Sequence, residues 1–171
     1  MEKADAGEPV NQYFLALNYY QGDEVRVDKR RAFDLVKQSA EQGIPEAALL
    51  LGAMYAMGDG IPTNKEQAEK WLLKAAELGV PEAQLNLSHL YHELEAGKPY
   101  GKMDFKSTYV WLEVAKAFGV ETEAFVLVLP ERQAEWERAA AETFERVKRN
   151  RAEYCKSHVA WCEWTQKTFG Y

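Results

Sequence analysis

An internal repeat constrains this chain more than any other feature. Tyr19, Gly22, Val25, Ala32, Ala40 and Gly43 are each matched 36 residues later by Tyr55, Gly58, Ile61, Ala68, Ala76 and Gly79. A third copy keeps Tyr91 at the same offset from Tyr55. Its Thr108, Trp111 and Gly119 then follow Ala68, Trp71 and Gly79 by 40 residues, so four residues are inserted between. Repeats of this length are pairs of helices that cannot bury their apolar faces alone and must stack on their neighbours. The expected fold is all-α, an α-solenoid of stacked antiparallel helix pairs. Its copies are residues 9–43, 44–79 and 80–119, and residues 120–171 form capping helices.

The second copy shows the local logic. Pro45 opens a helix expected over 45–57, because its missing N–H falls where a helix has no acceptor to offer. Gly58-Asp59-Gly60 ends it. Pro62 and Asn64 make the turn, and a second helix runs from about Lys65 to Leu78 before Gly79. Ala47, Leu51 and Tyr55 recur on one face and are expected to point inward, with Ala48 and Gly52 beside them as small residues that admit a neighbouring helix closely. The other side of that helix carries Leu49, Ala53, Ala56 and Met57. Its equivalents are Tyr13, Leu17, Tyr20 and Gln21 in copy one and Leu85, His89, His92 and Glu93 in copy three. A solvated face should be charged, whereas this stripe is mostly aromatic and aliphatic. It is therefore expected to bind a partner. Tyr100, between Pro99 and Gly101 in the insertion 95–102, is expected to add a contact at the rim.

Tyr13-Phe-Leu-Ala-Leu-Asn-Tyr-Tyr-Gln-Gly-Asp, Leu49-Leu-Leu-Gly-Ala-Met-Tyr-Ala-Met-Gly-Asp-Gly-Ile-Pro-Thr-Asn and Ala68-Glu-Lys-Trp-Leu-Leu-Lys-Ala-Ala-Glu-Leu-Gly resemble the Sel1-like repeat, a relative of the tetratricopeptide repeat. The resemblance covers about residues 11 to 119. Copies one and three depart from it: Ala16 and Ser88 replace Gly52, Glu24 replaces Gly60, and Thr108 and Lys116 replace Ala68 and Ala76. The resemblance implies a bacterial adaptor or inhibitor that works through protein contacts, and no catalytic residues. The preferred expectation is an immunity-type inhibitor that blocks one toxin or effector enzyme; a general adaptor or assembly scaffold is the alternative.

Beyond Gly119 the repeat fades. Val120 to Leu129 reads as the start of another first helix, and Pro130 opens a long helical stretch with Ala134, Ala139, Ala140, Ala141, Phe144 and Val147 as its inner face. Cys155 and Cys162 would lie about 10 Å apart on a continuous helix, at 1.5 Å of rise per residue. That exceeds what a disulfide spans. Two unbridged thiols are the expectation, and a bridge would require a break near Ser157-His158.

Composition and motifs narrow the chemistry. Lysine and arginine number 21 against 27 aspartates and glutamates, a net charge of −6 that argues against nucleic acid as the partner. No apolar run is long enough for membrane insertion. His89-Leu-Tyr-His92-Glu93 offers two imidazoles and a carboxylate, too few ligands for zinc, so no metal and no cofactor are expected. A metal-dependent hydrolase using His89, His92 and Glu93 stands as the enzymatic alternative. No phosphate-binding glycine loop or Gly-x-Ser-x-Gly elbow occurs. Glu41, Glu46, Glu66, Glu69 and Glu77 are expected on solvent faces or at helix ends. The chain is expected to be non-enzymatic and monomeric when free. Its first residues have neither the basic start nor the apolar run of a signal peptide. A periplasmic chain is expected if Met1 stands in for a removed leader, and a cytoplasmic one if the sequence is complete as written.

Overall fold

Proline and Asx side chains divide the work of starting helices. In the computed structural model, which describes residues 8–22, 25–96, 105–123, 126, 128 and 130–170, α1 (Pro9–Gln21), α3 (Pro45–Met57) and α5 (Pro81–Ala96) each open on proline. In α2 (Lys29–Glu41) and α4 (Lys65–Glu77) the preceding side chain serves instead. The Asp28 carboxylate accepts the Arg31 N–H at 2.9 Å, and the Asn64 carbonyl oxygen accepts the Gln67 N–H at 3.0 Å. The backbone N–H of each capping residue also donates across the turn to the repeated tyrosine, Asp28 to Tyr19 O and Asn64 to Tyr55 O, both at 2.9 Å. One turn is thus written twice. The chain continues through α6 (Lys106–Ala117), α7 (Pro130–Ser157) and α8 (Val159–Phe169), and no strand occurs among the described residues.

Two compact units divide the chain, residues 1–75 and 76–171. In the first, α1 packs on α2 and α2 on α3. Many of the unit's buried residues are small, Ala16, Ala32, Val36, Ala40, Ala47 and Ala48 among them, with Tyr13, Phe33, Leu51, Met54, Trp71 and Leu72 as bulk. Gly52 sits so close to α4 that a Cβ there would lie 2.7 Å from Leu72 Cγ and 3.0 Å from its backbone nitrogen. Gly60, at φ +75°, presses just as closely on the Lys29 carbonyl; a Cβ would lie 2.8 Å from that oxygen. Neutral amides join α1 to α2: Gln12 Nε2 donates to Gln38 Oε1 at 3.1 Å, and Gln42 Nε2 to Gln12 Oε1 at 2.7 Å.

In the second unit α5 packs on α6 and α6 on α7. Ser88, standing where copy two has Gly52, is buried and donates to the Thr108 carbonyl at 3.0 Å. Across α7 the buried residues are Trp136, Ala140, Thr143 and Val147, one face at helical spacing. This corrects the expected inner face: Ala140 and Val147 belong to it, whereas Ala134 and Ala141 are exposed. Trp136 takes the bulky position and meets the Tyr109 ring at 5.7 Å. Glu77 holds α7 by accepting from Arg146 Nη2 at 2.8 Å, Arg146 Nε at 3.1 Å and Asn150 Nδ2 at 2.9 Å.

Three further expectations are corrected. Residues 120–123, 126 and 128 are not helical. Val120, Thr122, Val126 and Val128 are β-branched and Pro130 follows, a composition that opposes helix at each step. Glu95 and Ala96, read as part of the inserted turn, continue α5 as helix. Glu46 is at a helix end as expected, yet it is buried, only 4 % exposed. Cys155 and Cys162 are joined in a disulfide with their Cα atoms 5.8 Å apart, and the break this requires lies at His158, between α7 and α8.

Candidate protein-binding surface

Burial grades around α3 as the repeat pattern requires. Ala47 and Leu51 are fully buried, and Tyr55 is half-buried with its ring edge-on to Phe33 at 5.4 Å. On the other side Leu49, Ala53 and Ala56 are half-buried and Met57 is 61 % exposed. Around α1 the same stripe departs from that of α3 at its first position only. Tyr13, expected on the contact stripe, is only 8 % exposed and leaves it. Its neighbour Phe14 is 39 % exposed and takes the outer place, with its ring 5.6 Å from that of Tyr13. Leu17 and Tyr20 are half-buried and Gln21 is exposed. Phe14, Leu17 and Gln21 therefore share one face at i, i+3 and i+7. That spacing was present in the sequence, but carrying the copy-two register onto α1 hid Phe14.

Tyr20 is tied into the scaffold. Its hydroxyl donates to Asp59 Oδ2 at 2.7 Å, and Lys29 Nζ donates to Asp59 Oδ1 at 2.6 Å while lying 5.4 Å from the Tyr20 ring centre. Burial, then the hydrogen bond to Asp59 and its negative charge, pushes the Tyr20 hydroxyl up to about 12. The Lys29 ammonium, aided by the Tyr20 hydroxyl, holds the Asp59 carboxyl below the usual carboxylate range. The trio locks the end of α1 to the turn after α3.

In the second unit, Leu85 of α5 is half-buried and His89, His92 and Glu93 are exposed. The His92 ring stacks on Phe105, with centres 5.5 Å apart and planes 29° from parallel. Tyr100 lies outside the described residues. No group of three His, Cys, Asp or Glu side chains among the described residues is arranged to hold a metal ion. No described helix is long and apolar enough to cross a membrane. What these faces offer is apolar and aromatic area framed by polar groups, which suits contact with another protein.

The Sel1 repeat family model matches residues 12–44, 45–80 and 81–115. The chain belongs to the Sel1 repeat family. Such repeats are generally protein–protein interaction modules and generally non-catalytic scaffolds. Among solved structures, this Sel1 repeat chain is similar to a Sel1 repeat protein from Oxalobacter formigenes, with a TM-score of 0.62 and 23 % identity over 84 % of this chain. The match spans 61 % of that protein's length. It shows the fold, an α-solenoid of consecutive helix pairs. A protective antigen of uropathogenic Escherichia coli strains displaying an SLR fold matches with a TM-score of 0.38 and 20 % identity, covering 97 % of this chain and 42 % of that one. No curated protein matches the chain.

Proposed function

We propose that this Sel1 repeat chain binds a single protein through the outer faces of its first helices and acts as an immunity-type inhibitor of a toxin or effector enzyme. The observation that supports it best is the half-open apolar surface on α1 and α3, where Phe14, Leu17, Leu49, Ala53 and Met57 all retain exposure. Exposed apolar area of this kind marks contact sites, and a few anchors carry most of the binding energy. Met57, on a flexible unbranched side chain, can adjust to the partner's shape. On α5, His89, His92 and Glu93 supply a polar contact of their own. A small module whose groups perform no chemistry inhibits by covering, so the partner would be an enzyme whose active site is blocked.

The test uses the product of a neighbouring gene as candidate partner. Affinity and the candidate's catalytic activity are measured with the wild-type chain and with Met57→Asp and Phe14→Ala. Each variant should weaken binding by about 1–2 kcal/mol with melting nearly unchanged, and inhibition should fall in parallel. Tight binding without inhibition would favour the scaffold reading. Unaltered affinity in both variants would move the interface off α1 and α3.

A further inference from the structure

The segment Asn150-Arg-Ala-Glu-Tyr-Cys-Lys-Ser-His-Val-Ala-Trp-Cys-Glu-Trp contains no glycine and no proline, yet the helix breaks inside it. Sharp breaks ordinarily come from one of those residues or from a side chain that enters the backbone ladder. Here a covalent bridge also spans the break. On an unbroken helix Cys155 and Cys162 would be about 10 Å apart at 1.5 Å per residue, and the bridge holds their Cα atoms at 5.8 Å. His158, at φ −128° and ψ 41°, takes up the bend. Side chains gather on the backbone there. The Tyr154 carbonyl, the last acceptor of α7, also has the Ser157 hydroxyl at 3.2 Å and His158 Nδ1 at 3.0 Å. The Tyr154 and His158 rings stack 4.0 Å apart. The bent state also sets α8 down: Trp161 and Thr165 are buried, and Arg151 reaches both the Gly79 carbonyl at 3.2 Å and Thr165 Oγ1 at 3.5 Å.

We infer that Cys155–Cys162 is a thiol-exchange site that switches this segment between two helices and one. The bridge is reachable: both cysteines are half-buried and line a surface pocket with Arg151, Val159, Glu163 and Gln166. The co-reactant is an external dithiol. Its thiolate attacks one Sγ, the S–S bond breaks, and the other cysteine leaves as a thiolate that takes a proton from water. The second thiol of the reductant then resolves the mixed disulfide and releases the first cysteine. Two electrons pass to the protein, and the reductant departs as its own disulfide. With the link gone, no glycine or proline opposes helix through Ser157-His158, and the backbone bonds across the break close, from the Val159, Ala160 and Trp161 N–H groups to the Cys155, Lys156 and Ser157 carbonyls. α7 and α8 become one helix over 130–169. Thr165 moves away from Arg151, and Trp161 and Trp164 lose their packed position.

Amide hydrogen exchange on the full chain tests this, with and without a non-thiol reductant and on the Cys155→Ser/Cys162→Ser variant. The expected result is exchange about tenfold slower at the amides of Val159, Ala160 and Trp161 on reduction, with the α3 amides unchanged as proof that the repeats stay folded. The serine variant should show the reduced pattern under both conditions. An identical pattern in oxidised and reduced protein would overturn the switch. So would fraying of α8 without new protection at 159–161. Loss of protection throughout the chain would overturn it too, by making the bridge a plain structural staple; if only the serine variant unfolds, the reduced wild-type protein decides.

Discussion

Gly52 and Ser88 hold the same place in successive copies of the repeat and solve its closest contact in opposite ways. Gly52 brings α3 against Leu72 by having no side chain. Ser88 keeps its side chain and places the hydroxyl on the Thr108 carbonyl of α6, also within a buried contact. The first solution is steric and the second is a hydrogen bond. A repeat thus conserves the presence of a tight helix contact while leaving its chemistry open, and the two sites should fail differently when altered.

The largest effect is expected at the steric site. Gly52→Leu forces atoms into space that Leu72 and its backbone already fill, and should lower stability by about 3 kcal/mol in urea unfolding. A cost below half a kcal/mol would show that α3 can simply move away. Ser88→Ala has room to spare and loses only the hydroxyl's bond to a Thr108 carbonyl that keeps its helical partner, and should cost about 1–1.5 kcal/mol by the same measurement. Were Gly52→Leu the milder of the two, the contrast would be reversed.

A smaller effect comes from the Tyr20–Asp59–Lys29 trio, a third way of fastening a helix end. Asp59 has a lowered carboxyl in the folded state, so its contribution is present above an unfolded value of about 3.9 and is lost as pH falls through the folded one. Tyr20 is raised, so its contribution is complete below an unfolded value of about 10 and disappears as pH rises through about 12. Wild-type stability should therefore fall off on both sides of a plateau, and Asp59→Asn should reduce the plateau by about 1 kcal/mol and blunt the acid edge. Pairing with Lys29, which is partly exposed, keeps this modest. The smallest effect sharpens the comparison at its other end. Thr108 Oγ1 is buried and has no hydrogen-bond partner among the described residues. Thr108→Val should then be neutral or raise stability by about half a kcal/mol, whereas the copy-two counterpart Ala68→Val should lower it by overpacking.

The fold was legible wherever punctuation and period agreed. In copy two, Pro45 and Gly58 mark the limits of α3 in sequence and structure alike, because each has backbone constraints that local chemistry alone decides. Three misreadings have a common root: terms that a period cannot report. At residues 120–123, 126 and 128 β-branching and the coming proline outweigh the apolar pattern. Tyr13 occupies the repeat position of Leu49, yet the stripe on α1 is turned so that Phe14 takes the outside. The cysteine spacing excludes a bridge only for a continuous helix, and covalent closure is one of the few forces able to break a helix that contains neither glycine nor proline. The half-exposed apolar stripe was legible as a pattern of residue types; a partner for it was not, since partner identity lies in the shape and charge of another molecule.

The amide links between Gln12, Gln38 and Gln42 carry no net charge. The Glu77 clamp rests on an ion pair with Arg146 at the surface, with the neutral Asn150 amide beside it. Dissolved salt screens the second kind of link and leaves the first almost untouched. Raising ionic strength should therefore loosen the hold on α7 while the α1–α2 pairing stays fast, so that in concentrated brine the chain would begin to open from its carboxyl-terminal helices.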